Sequence, residues 1–295
     1  MGDITKAVIP IAGRGTRFLP LSKVVPKELF PLGLVPLIHH AVEEAKASGV
    51  KEIIFITNSS KRGVQDYFKR SPSLEQQLRE RGEEETLAVL EEMEKLTAGL
   101  TISAISDPQP LGDGHAILQA AKKVGSEPCF VFYPDDVLLG EKEPVALQLQ
   151  KVFATSQRPV FALSRVAQER VSSYGIVEGS QVTNRVLKLH TIVEKPSPEH
   201  APSNFAVVGR SIITPEVFAA LKKRQQGIGK KELRLTEAAS DMVKDGKVIY
   251  GYEFRGRWLE CGDRASWLRS FLLYVLLHPE WGGDMRAFLK ENRLL

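Results

Sequence analysis

Cysteine is scarce: two in 295 residues, Cys129 and Cys261, exclude a disulfide framework, and neither belongs to a Cys-x-x-Cys pair. That scarcity points to a reducing compartment. No run approaches about eighteen uninterrupted apolar residues, which excludes a membrane-spanning helix. The N-terminus lacks the apolar stretch of a signal peptide, because a strand pattern starts almost at once after Asp3. The expected location is the cytoplasm. Long basic runs and arginine–aromatic interleaving are missing too, so the net charge of +4 does not suggest nucleic acid. Low-complexity linkers and internal repeats are absent. What remains is an ordinary soluble composition, 43% hydrophobic and 26% charged, long enough for one large α/β domain or a main domain with an appendage.

Short apolar strands alternate with amphipathic segments. The strand candidates are Lys6–Ile11, Glu52–Thr57, Leu100–Ile105, Cys129–Tyr133 and Val160–Ser164, with helices expected at Pro36–Ala47, Gly63–Lys69, Ala116–Lys123 and Pro144–Thr155. Continuous apolar strands separated by helices imply a largely parallel sheet covered on both faces, the doubly wound α/β class. Two stretches depart from this rhythm. Leu74–Ala98 is highly charged with apolar residues every three to four positions, which predicts a surface helical excursion broken near Gly82. Tyr174–Val208 reads as β-hairpin elements forming a mixed-sheet lid. Beyond it the pattern predicts a strand at Ala206–Ile213, a helix at Pro215–Lys223, a loop at Gly227–Lys231, a helix at Leu235–Lys244, strands at Val248–Phe254 and Arg257–Cys261, and helices at Arg264–Leu277 and Asp284–Asn292.

The most informative local feature is the loop after the first strand. Lys6–Ala12 runs into Gly13-Arg14-Gly15-Thr16-Arg17, followed by Lys23, Lys27 and Glu28. Glycines let a backbone approach a ligand and present its N–H groups. The third glycine of the dinucleotide fingerprint and the Walker A spacing are both missing. An ordinary turn with solvated basic residues accounts for the glycines alone. The concentration of Arg17, Lys23 and Lys27 in one loop argues instead for a triphosphate, which needs amide donors and permanent cations together.

In open α/β sheets ligands bind beyond the carboxyl ends of strands. Tyr133-Pro134-Asp135-Asp136 stands at such an end, and paired acids there suit a hard cation such as Mg²⁺ or, alternatively, a helix cap. Asp107–Ala116 links a strand to a helix and, read alone, is only a loop. Glu194-Lys195-Pro196 pairs an acceptor for sugar hydroxyls with an ammonium for a phosphate, or is a surface pair before a proline turn.

Together, the stretches IPIAGRGTRFLPLSKVVPKELFPL, PLGDGHA, YPDDV, SSYGIVEG, VEKPSPEHAPSNFAVVGR, ELRLTEA and ECGDR resemble the bacterial UTP–glucose-1-phosphate uridylyltransferases, nucleotidyltransferases that make nucleotide sugars. The resemblance runs in order along almost the whole chain. It implies a Rossmann-like three-layer α/β fold with a mostly parallel mixed central sheet. It also implies one nucleotidyltransferase domain over residues 1–295, with a helical excursion at about 73–98 and C-terminal helices at about 264–292. The implied substrates are UTP and glucose 1-phosphate, the implied cofactor Mg²⁺, and the implied assembly a homo-oligomer, dimer or tetramer. Ala12, Gly13, Gly15, Thr16 and Arg17 match the nucleotide loop. Arg17 and Lys27 match the triphosphate cations, Glu28 a residue near the nucleoside, and Gly112 a base-reading amide. Asp135 matches the magnesium aspartate. Gly175, Glu194, Val208 and Gly209 match positions around the sugar, and Lys195 the lysine on its phosphate.

Several positions depart from the family pattern. Asp107 replaces a glutamine near the base; ionised aspartate only accepts, so uridine stays compatible while base preference is open. Glu260 replaces the second metal aspartate, its extra methylene shifting the carboxylate. Val35 replaces a lysine before the helix proline, and Arg234 and Glu237 alter the motif usually read as EIQLTDA. Alternatives are therefore the same chemistry with dTTP, CTP or galactose 1-phosphate, or a non-catalytic sugar-nucleotide-binding paralogue. His39 and His40 read as structural residues at a helix start, and Cys261 as packing. The apolar positions of Trp267–Leu277 suit either a core or an interface.

Overall fold

Glu52–Thr57 and Cys129–Phe132 are apolar along nearly their whole length, so each must be covered on both faces, and each is buried throughout its apolar part. A computed structural model describes residues 3–109, 111–229 and 231–294. Pro110 of the Asp107–Ala116 loop and Lys230 of the loop expected at Gly227–Lys231 lie outside the described residues.

The strands are β1 (Lys6–Pro10), β2 (Pro31–Leu32), β3 (Val35–Pro36), β4 (Glu52–Thr57), β5 (Thr101–Ser106), β6 (Cys129–Phe132), β7 (Asp136–Gly140), β8 (Val160–Arg165), β9 (Gly175–Thr183), β10 (Val186–Glu194), β11 (Phe205–Ile213), β12 (Tyr250–Glu253) and β13 (Gly256–Glu260). The helices are α1 (Leu37–Ala47), α2 (Arg62–Tyr67), α3 (Pro72–Arg81), α4 (Glu84–Thr97), α5 (Asp113–Gln119), α6 (Ala121–Val124), α7 (Val145–Ser156), α8 (Pro215–Ile228), α9 (Leu235–Lys244), α10 (Arg264–Leu277) and α11 (Gly282–Glu291). Among the described residues, nine strands form one sheet in the order β5-β4-β1-β6-β11-β8-β12-β10-β9. Only β11 and β10 run against the rest. The fold is the expected three-layer α/β arrangement on a mixed sheet.

Alternation along the strands divides the core in two. Ala7, Ile9, Ile53, Phe55, Phe130 and Phe132 face α1 and α7. Val8, Ile54, Ile56, Cys129 and Val131 face α5, α8 and α9. A third cluster joins Phe18 and Phe30 to Val137, Leu259 and Cys261, with Trp267 and Phe271 of α10 packed on it. Phe18 meets Phe30 edge-on at 4.9 Å and Trp267 at 6.4 Å. Burying Phe18 is worth about 2 kcal/mol and fixes the Thr16–Phe18 turn against the C-terminal helix.

The charged excursion forms α3 and α4, broken at Gly82 as the sequence suggests. The Tyr174–Val208 hairpin is not a separate lid. β10 pairs with the edge offered by β12, and β9 returns to pair with β11 at Phe205 and Val177. The helix expected to end at Lys223 continues to Ile228. β7, which the periodicity misses, pairs with β13 in a two-stranded ribbon outside the main sheet.

His40 is a packing residue: it stacks edge-on against Tyr274, and its Nε2 donates to Leu32 O at 3.1 Å. Burial depresses its pKa to about 4, from an ordinary 6.5. The unfolded chain therefore takes up this proton below about pH 6.5, and the folded chain only near pH 4. Stability from this group is complete above about pH 6.5 and falls by up to about 3 kcal/mol as the pH drops towards 4. Urea midpoints between pH 7.5 and 4 are expected to show that slope, and His40→Gln to flatten it; equal slopes would acquit His40.

Candidate active site

The C-terminal ends of β1 and β6 open into a cleft of about 760 Å³. Its walls bring together residues separated by most of the chain. From the first loop come Gly13, Gly15, Thr16 and Arg17, with Lys27 just beyond. From other segments come Gly112, Asp135, Gly175, Glu194, Lys195, Val208, Gly209 and Glu260.

Within the cleft a cation meets a carboxylate. Lys27 Nζ lies 2.5 Å from Asp135 Oδ2. Burial opposes the Lys27 ammonium, but Asp135 and then Glu28 outweigh it and hold its pKa above the ordinary lysine value. Burial likewise opposes the Asp135 carboxylate, and Lys27 overrides it and lowers its pKa. The pair is therefore charged. Beside it, Asp136 accepts a 2.7 Å bond from Trp258 Nε1; burial and the neighbouring Asp135 charge raise its pKa to about 7. Arg17 donates to Gly262 O at 3.3 Å. Its loop is clamped from α10: Arg264 Nε donates to Arg17 O at 2.8 Å and its Nη2 to Leu19 O. Asp263, which caps α10 through the Ala265 and Ser266 amides, also lines the cleft.

A second group of cleft residues is built on Glu194 at the end of β10. Thr236 Oγ1 donates to its Oε2 at 2.7 Å, Arg234 pairs with its Oε1, and Lys195 Nζ stands 3.9 Å away. Gly112, at φ 104°, lies against Leu233, whose carbonyl oxygen would be 2.3 Å from any Cβ placed there. Leu233 also bonds Leu111 and Gly114 through the backbone at 2.7 and 2.9 Å, so the Gly112 loop is stitched to the segment carrying Arg234. Gly209 is equally constrained: a Cβ there would sit 2.2 Å from Asp136 Cβ.

Three residues expected at the site do not line it. Ala12 is buried beneath the loop, its carbonyl accepting from Asn58 Nδ2 at 2.7 Å. Glu28 is buried and paired with buried Lys61 at 2.7 Å. Asp107 is 1% exposed, accepts from Gln109 N and lies 3.1 Å from His115 Nδ1, so its carboxylate is used inside the loop. Lys23 is exposed and, like Val35, does not line the cleft. Residues that sequence reasoning missed include Asp113, which accepts from Tyr133 OH at 2.6 Å, and Tyr174, Thr236 and Asp263. Asp263 before an apolar helix carried a readable N-cap signal; the others carried none.

Among the described residues, no three His, Cys, Asp or Glu side chains gather to enclose a metal ion. A magnesium ion shared with substrate phosphates needs only one or two carboxylates, and Asp135 fits that need. Each of the two candidate carboxylates carries a cation, Lys27 on Asp135 and Arg170 on Glu260.

A profile for nucleotidyl transferases matches residues 6–274. A curated UTP–glucose-1-phosphate uridylyltransferase 2 of Streptococcus pyogenes serotype M3 is 36% identical over 293 residues, spanning 98% of this chain and 96% of that protein. A UTP–glucose-1-phosphate uridylyltransferase of Bacillus subtilis is 38% identical over 288 residues, spanning 98% and 95%. Among solved structures, a UTP-bound UDP-glucose pyrophosphorylase from Acinetobacter baumannii superposes with a TM-score of 0.87 at 33% identity, covering 98% of this chain and 99% of that one. A UDP-glucose pyrophosphorylase complexed with UDP-glucose gives 0.83 at 33% identity, covering 92% and 98%.

Proposed function

The chain belongs to the nucleotidyl transferase family, and on that premise we propose that it is a UTP–glucose-1-phosphate uridylyltransferase, releasing pyrophosphate as it makes UDP-glucose. The observation that carries the reading is the gathering of fixed cations in one cleft. Arg17, Lys27 paired with Asp135, and Lys195 beside Glu194 all line it. Several fixed cations in one cleft suit two phosphorylated substrates meeting there. Arg17 and Lys27 hold the triphosphate, and Lys195 neutralises the sugar phosphate. Glu194, held by Arg234 and Thr236, presents an acceptor-only group to sugar hydroxyls.

An oxygen of glucose 1-phosphate attacks the α-phosphorus of UTP; the new O–P bond forms as the bond to the β-phosphate oxygen breaks, and that electron pair leaves with pyrophosphate. No covalent enzyme intermediate is required. The protein's contribution is to position two anions that repel each other and to neutralise them with fixed cations. Asp135 would hold a magnesium ion, which when bound adds neutralising charge across the phosphates.

The whole chain is taken as one nucleotidyltransferase domain. Self-association is part of the proposal and fits the exposed Leu268, Leu272 and Leu277 of α10. Among the described residues no helix is long and apolar enough to cross a membrane, which is compatible with the cytoplasmic placement proposed.

Pyrophosphate release should require UTP, glucose 1-phosphate and a divalent ion together. A folded preparation that releases none with any of four nucleoside triphosphates against several sugar 1-phosphates would leave a binding protein in its place. The contact of buried Asp107 with His115 supports a base choice that does not depend on its carboxylate. Asp107→Gln is accordingly expected to leave the ratio of UTP to dTTP and CTP use unchanged while lowering thermal stability by about 1–3 kcal/mol, since one amide oxygen on a longer side chain cannot replace both carboxylate oxygens that serve His115 and Gln109 N. A shifted ratio in the triphosphate competition assay would return Asp107 to the base site.

A further inference from the structure

One guanidinium at the rim of the cleft belongs to none of the expected site residues. Arg170 lies in the 3₁₀ turn Gln168–Ser173 that leads into β9. Its Nη2 donates to the Glu260 carboxylate at the end of β13 and to the Tyr174 hydroxyl, and stands 3.5 Å from Ser266 Oγ in α10. Arg170 thereby ties the wall that carries Tyr174 and Gly175 to the wall that carries Glu260 and Asp263. The Arg170 side chain is 43% exposed and the Glu260 side chain 15%.

Glu260 stands beside the metal-suited loop. It pairs with Asp136 across the β7–β13 ribbon, and the next amide, Cys261 N, donates to Asp135 O at 2.7 Å. A carboxylate so placed would be a natural second oxygen ligand for a divalent ion on Asp135. The guanidinium already fills that role of counter-charge. An ion that takes Glu260 must also displace a cation from it, and the displaced cation would then face a double positive charge at close range.

We propose that Arg170 is a positioning residue that competes with a divalent cation for Glu260. With Arg170 in place the substrate-free cleft offers the ion Asp135, shared with Lys27, as its carboxylate. With Arg170 neutralised, Glu260 becomes a second ligand. The inference rests on the reading of Asp135 as the cation's carboxylate, and its test separates the two.

The measurement is Mn²⁺ binding to the substrate-free protein, followed by the electron paramagnetic resonance of free Mn²⁺. Arg170→Gln is expected to bind Mn²⁺ about tenfold more tightly than the wild type, Glu260→Gln to match the wild type within about twofold, and the double variant to lose the gain. A purely structural role for Arg170 would weaken or spare Mn²⁺ binding; it would not tighten it. Unchanged affinity in Arg170→Gln, with Asp135→Asn clearly weakened, overturns the competition alone. Unchanged affinity in Asp135→Asn overturns the Asp135 reading and the competition with it. Should Arg170→Gln not fold, Glu260→Gln decides: weakening as large as that of Asp135→Asn would mean that Glu260 is an open ligand despite its partner.

Discussion

Lys27→Met is expected to lower kcat for pyrophosphate release by about 10²–10³, the loss typical of removing one preorganised charge-stabilising group. Lys27 stands out among the cleft cations because it is tied to Asp135 at 2.5 Å and its turn, Lys27–Leu29, is anchored by Phe30 and buried Glu28. Arg17 sits on a more exposed loop with one long contact to Gly262 O. A group held by neighbours loses little entropy when the reacting phosphate arrives, which makes Lys27 the better stabiliser of the departing charge. The substitution also strips Asp135 of its partner, so that carboxylate would lose the interaction that keeps its pKa low. Two readouts separate these effects. If the ammonium acts on the triphosphate, Lys27→Arg recovers part of kcat, and KM for UTP rises less than kcat falls. If its main work is on Asp135, Lys27→Met/Asp135→Asn is no worse than Asp135→Asn alone. Activity within tenfold of the wild type in a folded Lys27→Met protein would remove Lys27 from the catalytic role.

Much of this arrangement is legible in the residue order alone. The apolar runs at Glu52–Thr57 and Cys129–Phe132 could only be central strands, and the Gly13–Arg17 loop between strand and turn lies on the cleft as its glycines and cations suggest. Orientation was the limit. Glu28 and Asp107 occupy the right stretches of chain, yet their carboxylates are spent on Lys61 and His115, and nothing in the residue order says which way a side chain turns. Pairings across long separations were equally silent. Arg170 meets Glu260 ninety residues later, and Arg234 closes on Glu194 forty residues earlier. β7 leaves no periodic signal, because it follows the Asp135-Asp136 turn at once and takes its partner, β13, from far along the chain.

The floor of the cleft depends on another such distant pair. Arg210, on β11, and Glu44, on α1, are both buried, with Arg210 Nε donating to Glu44 Oε2 at 2.8 Å. The guanidinium lies over the Phe132 ring at 4.6 Å. Its Nη1 gathers three carbonyls, those of Tyr133, Asp136 and Gly209, at 3.1, 2.9 and 2.8 Å. Two of these bracket the Tyr133–Asp136 turn that carries Asp135. Glu44 Oε1 in turn accepts from Ala146 N at the start of α7. Arg210→Met leaves a carboxylate buried without its charge partner and three carbonyls short of a donor. It is expected to cost about 3–5 kcal/mol, read as a lowered urea midpoint at unchanged slope. Glu44→Gln should cost less, because the amide oxygen can still accept from Ala146 N and Arg210 keeps its carbonyls. Arg210→Met/Glu44→Leu should recover stability, since an apolar pair carries no desolvation penalty. It should not recover turnover, because the Tyr133–Asp136 turn still lacks the donor that holds its two ends. A double variant that regained both would reduce Arg210 to a packing residue; stability restored with kcat still depressed would establish it as the support that aims Asp135 into the cleft.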